Sequence, residues 1–333
     1  MTTQRISMSL RLTEDRLFCL DQTQLPHLEN WVDGTDPQSM ESIIKNLQVR
    51  GAPLIGVAAA LCLGLYWKRQ KPTPEEFQRV SLRLRESRPT AVNLMIAVDR
   101  LLRVHELSPE DTFAEALKIF DEDVLLCQRI AQMGETVIED GDGILTHCNT
   151  GGLATVGIGT ALGVITKFFE KKKKIHVYVD ETRPLLQGAR LNTWELEQGK
   201  VPYTLICDNM AGFLMSKGKI HKVIVGADRI AMNGDFANKV GTYSLAVLCH
   251  YHRIPFYTAA PGTTLDGQCE SGDQIPVEQR KPEEVLMSWA PKTAQVWNPS
   301  FDVTPAELVT GWILDKGVFN LNDIKNGKLR ELV

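Results

Sequence analysis

The spacing of apolar positions changes along this chain of 333 residues. Up to about residue 125, apolar side chains recur every three or four positions between Pro or polar breaks, which predicts amphipathic helices. Residues 8–12 and 16–20 instead alternate polar and apolar side chains and predict an early β-hairpin. The helices predicted in this part span residues 38–49, 55–69, 74–86, 92–104 and 112–133.

From about residue 143, short β-rich runs alternate with helical segments. Apolar runs of this length between helices indicate a parallel, doubly wound sheet. We therefore predict an α/β protein, with a smaller, mainly helical domain over residues 1–125 and the sheet domain over residues 126–333. The predicted strands are 143–146, 176–179, 203–206, 222–225 and 255–258, and the predicted helices are 154–170, 185–197, 211–216 and 239–251.

Chemically capable residues follow four of these strands directly. Ligands bind beyond the carboxyl ends of the strands in a doubly wound sheet. One such strand end occurs by chance, but four in register predict a site along this edge. The four groups are His147-Cys148-Asn149, Asp180-Glu181-Thr182-Arg183, Cys207-Asp208-Asn209 and Gly226-Ala227-Asp228-Arg229.

Composition narrows the class of protein. The apolar fraction of 43% and charged fraction of 23% are those of a globular protein. A net charge of −4 argues against nucleic acid or a membrane surface as the main partner. The longest apolar run, residues 52–66, falls short of the ~20 residues that span a bilayer. The amino terminus lacks the hydrophobic block of a signal peptide, and the basic run at residues 171–174 is interpreted as a solvated linker.

Cysteine and histidine usage predicts free thiols and no metal centre. The seven cysteines include no CxxC pair, so neither a disulfide framework nor a zinc site is indicated. The seven histidines are scattered. We expect a reducing, cytoplasmic setting.

No dinucleotide cofactor is expected either. Gly157-Ile158-Gly159 resembles the start of a GxGxxG fingerprint, but Leu162 occupies the last glycine position. The run also lies within the predicted helix 154–170, where its glycines would serve close packing of the helix on the sheet.

Cys148 has two interpretations from its surroundings alone. It is either a buried packing residue or a thiolate favoured by the amino terminus of the helix predicted to follow. Cys62, Cys127 and Cys249 lie in apolar helical stretches and are interpreted as core, whereas Cys207 also ends a strand and competes with Cys148.

Asp228 is similarly ambiguous. A carboxylate after a small-residue turn serves as an acid or base if burial raises its pKa. The alternative is a structural carboxylate that caps the turn or pairs with Arg229.

Three basic side chains lie near predicted helix starts and suggest an anionic ligand. Arg50 precedes a Gly-Ala-Pro turn, Arg88 precedes a proline, and Lys239 follows Asn238 at the start of the helix predicted over residues 239–251. Backbone amides and the dipole at a helix amino terminus favour phosphate. Together with the strand-end acids, they suit a small phosphorylated substrate.

Seven segments, in order along nearly the whole chain, resemble the methylthioribose-1-phosphate isomerase family, which is related to regulatory subunits of initiation factor 2B. They are VRGAPLIGVAAAL, SRPTAVNL, LTHCNTGGLATVGIGTALGVI, VDETRPLLQGARL, VIVGADRIAMNGDFANKVGTYSLA, FYTAAPGTTLD and NPSFDVTPAELV. The resemblance implies an aldose–ketose isomerase of methionine salvage, a homodimer, and a Rossmann-like carboxy-terminal domain. It implies catalytic roles for Cys148 and Asp228, and substrate contacts from Arg50, Gly51, Ala52, Arg88, Gln187, Asn238 and Lys239.

Two departures and three alternatives accompany the resemblance. The family pattern HCNAGAL or HCNTGAL reads HCNTGGL here, with Gly152, and a segment like IEER reads Val277-Glu278-Gln279-Arg280. Related isomerases act on ribose 1,5-bisphosphate or 5-deoxyribose 1-phosphate, and the regulatory subunits act by binding, typically without the paired Cys and Asp. Whether hydrogen moves between C2 and C1 through an enediol or as a hydride is open at the level of sequence.

Overall fold

The computed structural model describes residues 4–88, 91–104, 108–171 and 173–333. The chain forms two compact units. The amino-terminal unit runs to Gln128 and includes Gly151–Gly159, which we call the inserted loop; the carboxy-terminal unit comprises Arg129–Thr150 and Thr160–Val333. The predicted domain boundary near residue 125 stays a prediction.

A four-stranded antiparallel sheet begins the amino-terminal unit. The predicted hairpin is confirmed, because its two strands pair with Leu12 opposite Leu17. The first and last strands extend the hairpin, and they are too short for a sequence pattern to predict. In chain order the strands are β1 (Arg5–Ile6), β2 (Leu10–Leu12), β3 (Leu17–Leu20) and β4 (Trp31–Asp33).

All five helices predicted before residue 134 are confirmed, with ends that shift by a few residues. They are α1 (Pro37–Lys45), α2 (Ala52–Gln70), α3 (Pro74–Arg85), α4 (Val92–Val104) and α5 (Pro109–Gly134). Asp36 and Thr73 cap α1 and α3 through their side chains. Helix α2 is buried from Leu54 to Trp67, which explains its apolar composition on every face. Across the described ranges, no helix is both long and apolar enough to cross a membrane.

The carboxy-terminal unit contains a large, mostly parallel sheet, as predicted. Its order is β14-β13-β11-β8-β5-β6-β7, and only the β13–β14 pair is antiparallel. A second, three-stranded sheet has the order β12-β10-β9. The strands of this unit are β5 (Gly143–Thr146), β6 (His176–Asp180), β7 (Tyr203–Ile206), β8 (Lys222–Val225), β9 (Arg229–Ile230), β10 (Phe236–Lys239), β11 (Phe256–Ala259), β12 (Phe301–Thr304), β13 (Gly311–Leu314) and β14 (Gly317–Phe319).

Helices cover both faces of the large sheet, so the doubly wound α/β class is confirmed. The helices are α6 (Ala161–Glu170), α7 (Thr193–Gln198), α8 (Ala211–Ser216), α9 (Thr242–His252), α10 (Glu283–Leu286) and α11 (Leu321–Lys325). Successive strand residues face opposite cores: Leu145 packs with α8 and α9, whereas Ile144 packs with α6 and α7.

The strand order reverses between β5 and β8. From β5 the chain continues to β6 and β7 toward one edge, and from β8 it continues to β11 and β13 toward the other. Connections therefore leave this point in opposite directions and open a crevice beyond the carboxyl ends of the two strands.

The helix predicted over residues 154–170 is wrong in its first seven residues, because α6 begins at Ala161. Backbone groups of the inserted loop bond to residues of α5 and α2 and not to each other in a helical pattern: Val156 donates to Asp123 Oδ2 at 2.7 Å, and Ala154 accepts from Leu54 N at 3.2 Å. Gly157 packs so closely on α5 that a Cβ there would lie 2.6 Å from Cys127 Cβ. The Gly157-Ile158-Gly159 run thus lies outside any helix. In the adjacent basic run, Lys172 lies outside the described residues.

The helix predicted over residues 239–251 is wrong in its first three residues. Lys239 ends strand β10, which pairs with β12, and α9 begins at Thr242. Gly241, at φ 108°, turns the chain between them. The residues of β10 are buried and half of them polar, a pattern that does not distinguish a short strand from a helix start.

The helix predicted over residues 185–197 begins instead near Gln187. A π-helical turn, Gly188–Asn192, leads into α7. A Cβ on Gly188 would lie 1.8 Å from the carbonyl oxygen of Asp180, so only glycine fits where this turn approaches β6.

Candidate active site

Cys148 and Asp228 follow the two strands that flank the reversal of strand order. Cys148 lies two residues beyond β5, and Asp228 lies three residues beyond β8. Both side chains are half-buried. The predicted site at the strand ends therefore coincides with the crevice in which doubly wound sheets bind ligands.

Hydrogen bonds hold the backbone of Cys148 on both sides. Its N–H donates to Thr182 Oγ1 at 2.9 Å, and its carbonyl accepts from Asn192 Nδ2 at 2.5 Å. Cys148 has φ 62°, a left-handed conformation that residues with side chains rarely adopt. Thr182 and Leu186 nearby have φ 66° and 57°. Strain of this kind persists where its surroundings fix it, and it clusters at functional sites.

The other cysteines are poorer candidates for chemistry. Cys62, Cys127 and Cys249 are buried in the cores, as predicted, and burial raises the pKa of each thiol. Cys207 is exposed, and the charge of Glu181 raises its thiol pKa. Cys148 is therefore the stronger candidate of the two strand-end cysteines.

A buried histidine–carboxylate pair lies beside Cys148. His147 Nδ1 is 3.0 Å from Asp180 Oδ2, and His147 Nε2 is 2.9 Å from the carbonyl oxygen of Val240. Burial by itself lowers the pKa of His147, but the hydrogen bond and charge of Asp180 raise it, and the net direction is upward. Burial raises the pKa of Asp180 to about 6, against the opposing effect of His147.

Asp208 supports the same strand ends. Its two carboxylate oxygens accept from the N–H groups of Thr182 and Arg183, each at 2.7 Å. Together with His147 and Asp180 it has the donor types of a metal site, with ligand atoms within 4.8 Å of one another. Hydrogen bonds to other groups of the protein engage both ring nitrogens of His147 and both carboxylate oxygens of Asp208.

Asp228 joins the end of β8 to the second sheet. Its N–H donates to the carbonyl of Ala237 at 2.9 Å, in the strand that carries Asn238 and Lys239. The neighbouring Arg229 forms an ion pair with Asp266 at 3.1 Å. Arg229 thus has a partner of its own, which weakens the structural interpretation of Asp228 as the partner of Arg229.

Asn238 and Lys239 are buried polar residues. Asn238 Nδ2 donates to Thr242 Oγ1 at 2.9 Å. Lys239 Nζ donates to the carbonyl of Ser300 at 2.7 Å and lies 4.9 Å from the centre of the Phe301 ring. An ammonium group held in this way is costly to bury and is well suited to an anion.

The segment after Lys239 is capped by Asp302. The carboxylate accepts from the N–H groups of Gly241 at 2.6 Å and Tyr243 at 3.1 Å, at the amino terminus of α9. Burial raises the pKa of Asp302 to about 6.

The remaining candidates are distributed over both units. Gln187 is buried in the carboxy-terminal unit, directly before the π-helical turn. Arg50, Gly51 and Ala52 lie at the amino terminus of α2 in the amino-terminal unit, as predicted; Gly51 is its N-cap, with φ 88°. Arg88 also precedes a helix, since α4 begins four residues later, although Pro89 and Thr90 lie outside the described residues.

In the variant segment near residue 280, Arg280 pairs with Glu278 and Glu284 at 3.1 and 2.6 Å. The carbonyl of Glu278 accepts from Ser300 N at 2.8 Å, one residue before β12. The glutamate of this segment therefore has a local structural partner.

Comparison with known proteins identifies the family to which this chain is similar. Residues 48–321 match the initiation factor 2 subunit family. The chain belongs to this family. Methylthioribose-1-phosphate isomerase from Citrobacter koseri is 51% identical over 97% of both chains, and its namesake from Yersinia pestis is 49% identical over 96% of this chain and 95% of the relative.

Solved structures of the initiation factor 2 subunit family include both an enzyme and a translation factor. The 5-methylthioribose 1-phosphate isomerase of Pyrococcus horikoshii OT3 superposes with a TM-score of 0.91 at 40% identity, covering 99% of this chain and 98% of that one. The translation initiation factor eIF-2B subunit delta from A. fulgidus gives 0.86 at 38% identity, covering 98% and 99%. The fold alone thus does not assign an activity within the family.

Sequence reasoning missed the hydrogen-bond partners in this family member. The strand-end pattern draws attention to Asp180, Thr182 and Asp208 but gives them no role. Asn192 carries no signal in the sequence, because a single Asn in a helical pattern is unremarkable. Asp302 lies within a motif used for the resemblance, yet only the pairing of β10 with β12 brings it to Gly241.

Proposed function

We propose that this chain is an isomerase that converts 5-methylthioribose 1-phosphate to 5-methylthioribulose 1-phosphate in methionine salvage. The observation that carries the proposal is a sequence identity of 51% and 49% with two methylthioribose-1-phosphate isomerases, over nearly the full length of both chains. The position of Cys148 and Asp228 at the reversal of strand order supports it.

The substrate chemistry fixes which atoms must gain and lose hydrogen. The anomeric oxygen carries phosphate, so the ring cannot open by loss of a proton from that oxygen. Opening needs a proton on the ring oxygen as its bond to C1 breaks. Hydrogen must then leave C2 and arrive at C1, while the C2 hydroxyl loses its proton to become the ketone. These steps conserve atoms and electrons without an external oxidant or reductant.

In our proposal Asp228 protonates the ring oxygen and later receives the proton of the C2 hydroxyl. Cys148 removes the C2 proton and returns it to C1, so each group ends the cycle as it began. Reaction in deuterium oxide tests this route, because a proton held by a thiol exchanges with solvent and places deuterium at C1. A hydride shift from C2 would leave C1 without solvent deuterium.

The phosphate-binding role is proposed for basic and helix-start groups. Arg50, Gly51 and Ala52 offer a guanidinium and backbone amides at a helix amino terminus. Lys239 offers a buried ammonium. Arg88, Gln187 and Asn238 complete the proposed substrate contacts, with the amides of Gln187 and Asn238 suited to sugar hydroxyls.

The assay that tests the function offers three sugar phosphates in parallel to the purified protein. They are 5-methylthioribose 1-phosphate, 5-deoxyribose 1-phosphate and ribose 1,5-bisphosphate, with the ketose product measured for each. We expect the first to give the highest kcat/KM. Turnover of none of them would favour a binding role like that of the translation factor subunit, which the 38% identical structure makes the second candidate.

We also propose that the chain forms a homodimer through α8 and α9. Tyr243, Val247 and Tyr251 lie four residues apart on α9 and are exposed, so they form one apolar stripe. Helix α8 packs beside it and adds exposed Phe213, next to exposed Met210. A second copy of the chain is the partner that the family resemblance implies.

We propose a cytoplasmic location. All seven cysteines are free thiols, and Cys207 is exposed. Free thiols persist in the reducing compartment of the cell.

A further inference from the structure

The hydrogen bonds of His147 join two segments that are far apart in sequence. Through Nδ1 it contacts Asp180 at the end of β6, and through Nε2 it contacts the carbonyl of Val240, 93 residues away. His147 directly precedes Cys148, and Val240 directly follows Lys239. One imidazole therefore links the segment of the proposed proton-transfer thiol to the segment of the proposed phosphate-binding ammonium.

The fit around the imidazole is close. A Cβ on Gly241 would lie 2.9 Å from His147 Cε1 and 3.0 Å from Nε2, so the backbone of residue 241 lies against the ring. Asp302 holds the same residue from its other side by accepting its N–H. On the side of Cys148, Thr182 and Asn192 fix the backbone. The ring thus lies within a connected set of hydrogen bonds rather than in a mobile loop.

The partners also fix the number of protons in the pair. A carbonyl oxygen only accepts, so Nε2 of His147 carries hydrogen and donates to Val240. A second hydrogen must lie between Nδ1 and Asp180 Oδ2, which are 3.0 Å apart. The pair therefore carries no net charge, whichever atom holds that hydrogen. The raised pKa values of both groups agree with a retained proton.

We propose that His147 and Asp180 form a neutral positioning pair that fixes the Cys148 segment and the Lys239–Gly241 segment relative to each other. Neither group takes part in the chemistry. Asp180 acts by holding the imidazole, and the imidazole acts by holding Val240. Loss of the pair therefore displaces the Cys148 thiol and the Lys239 ammonium together.

The test compares Asp180→Ala with Asp180→Asn by hydrogen–deuterium exchange. The Asn amide donates to Nδ1 and keeps the imidazole in place, whereas Ala leaves Nδ1 unpaired in a buried site. We expect Asp180→Ala to speed exchange in peptides covering residues 147–152 and 238–243, and Asp180→Asn to restore slow exchange in both. A peptide within α2, in the amino-terminal unit, serves as the control for general loosening.

Kinetics give a second readout, which rests on the proposed isomerase activity. Asp180→Ala is expected to lower kcat and raise KM together, with kcat/KM about 10²-fold lower, because misplacement of about 1 Å costs this much. Asp180→Asn is expected to be close to the wild type. The exchange measurement does not depend on turnover, so failure of the proposed function leaves it interpretable.

Two results would overturn the proposal. One is unchanged exchange at residues 238–243 in Asp180→Ala, which would show that the pair supports only the Cys148 segment. The other is an Asp180→Asn variant with exchange as fast and kcat/KM as low as those of Asp180→Ala. That result would show that the charge of Asp180, rather than its hydrogen bond to the imidazole, causes the effect. If Asp180→Ala does not fold, Gly241→Ala displaces the ring from the opposite end and must speed exchange at residues 147–152; no change there would equally refute the coupling.

Discussion

At the scale of single residues, Cys148 carries a conformational cost that the residues of the preceding strand β5 do not. A left-handed conformation costs about 1–3 kcal/mol at a residue with a side chain. Thr182 and Asn192 offset that cost with one hydrogen bond each to its backbone. Because an ordinary packing cysteine needs no such support, the conformation favours a thiol whose position matters for chemistry.

Replacement of the two proposed proton-transfer groups should abolish most turnover. Cys148→Ser and Asp228→Asn are each expected to lower kcat by about 10²–10⁴-fold, because each removes a general acid or base. Calorimetric binding of the substrate should change little, since both substitutions nearly conserve shape. Cys207→Ser is the control for the second strand-end cysteine and should keep full activity. Near-normal turnover by either site variant would remove that residue from the mechanism.

Lys239 offers a separate test of phosphate binding. Lys239→Gln keeps a donor for the Ser300 carbonyl but removes the charge, so KM should rise about 10–100-fold, the equivalent of a lost charged hydrogen bond. Steady-state kinetics measure the change, and the exposed Lys217→Gln variant should behave like the wild type. A normal KM in Lys239→Gln would show that the ammonium group has a structural role only and does not bind the phosphate.

Single residues also show where sequence reasoning stops. The position of Cys148 and Asp228 just beyond two strands could be predicted, because strand ends are visible in a one-dimensional pattern. The His147–Asp180 pair spans 33 residues and two strands, and only the pairing of β5 with β6 brings it together. Asn192 reaches Cys148 through a π-helical turn, a geometry that apolar spacing does not encode.

At the scale of elements, long periodic segments were predictable and short ones were not. The five early helices and the core strands carry enough positions to show a period. The error at residues 154–160 has a local cause: the amide of Val156 bonds to Asp123, and Gly157 packs against α5. A helix-like composition there was overruled by contacts within the amino-terminal unit.

The start of α2 gives a stability prediction at this scale. Gly51→Ala combines φ 88° with a Cβ that would lie 2.4 Å from Ala154 O and 2.6 Å from Ala154 Cα. Gly218→Ala is the matched control, since Gly218 has φ 63° and no atom within 4 Å of its Cβ position.

Urea unfolding should separate the strain from the clash. The control should lose only the left-handed cost, about 1–2 kcal/mol. Gly51→Ala should lose clearly more, because the neighbouring atoms are backbone and cannot move independently. Equal losses would show that the contact between Gly51 and the inserted loop is easily relaxed.

The pKa of Asp123, whose carboxylate accepts a hydrogen bond from the inserted loop, gives a prediction of how stability depends on pH. Burial raises the pKa of this carboxyl from its usual 3.8 to about 6, although the amides of Val156 and Gly157 oppose the shift. The folded state therefore binds the proton more tightly than the unfolded state. Ionisation of Asp123 costs stability, and the cost grows as pH rises from about 4 to about 6 and is complete above that.

Asp123→Asn cannot ionise, so its stability relative to the wild type should improve with rising pH. The total change is about 3 kcal/mol, from a pKa difference of about two units. Urea unfolding of both proteins at pH 4 and pH 7.5 captures the larger part of this change, because most of the cost arises between these two values. Parallel pH profiles would show that Asp123 ionises normally in the folded protein.

At the scale of the whole molecule, the order of the strands decides which residues meet. Strand ends in sequence do not reveal that β8 lies beside β5 rather than beyond β7. That order makes the Cys148 and Asp228 strands neighbours at the crevice. The same fold serves an isomerase and a translation factor subunit, so the side chains at this crevice, rather than the fold, support the enzymatic function.

The proposed homodimer is testable through the apolar stripe of α9. The Val247→Asp/Tyr251→Asp double variant places two charges on that stripe, and charges are depleted from the centres of interfaces. Light scattering should give twice the 37.2 kDa chain mass for the wild type and the single mass for the double variant. Leu82→Asp/Leu125→Asp, two exposed leucines of the amino-terminal unit, is the matched control and should stay dimeric. A folded double variant that remains a dimer would move the interface elsewhere, and a monomeric wild type would refute the homodimer itself.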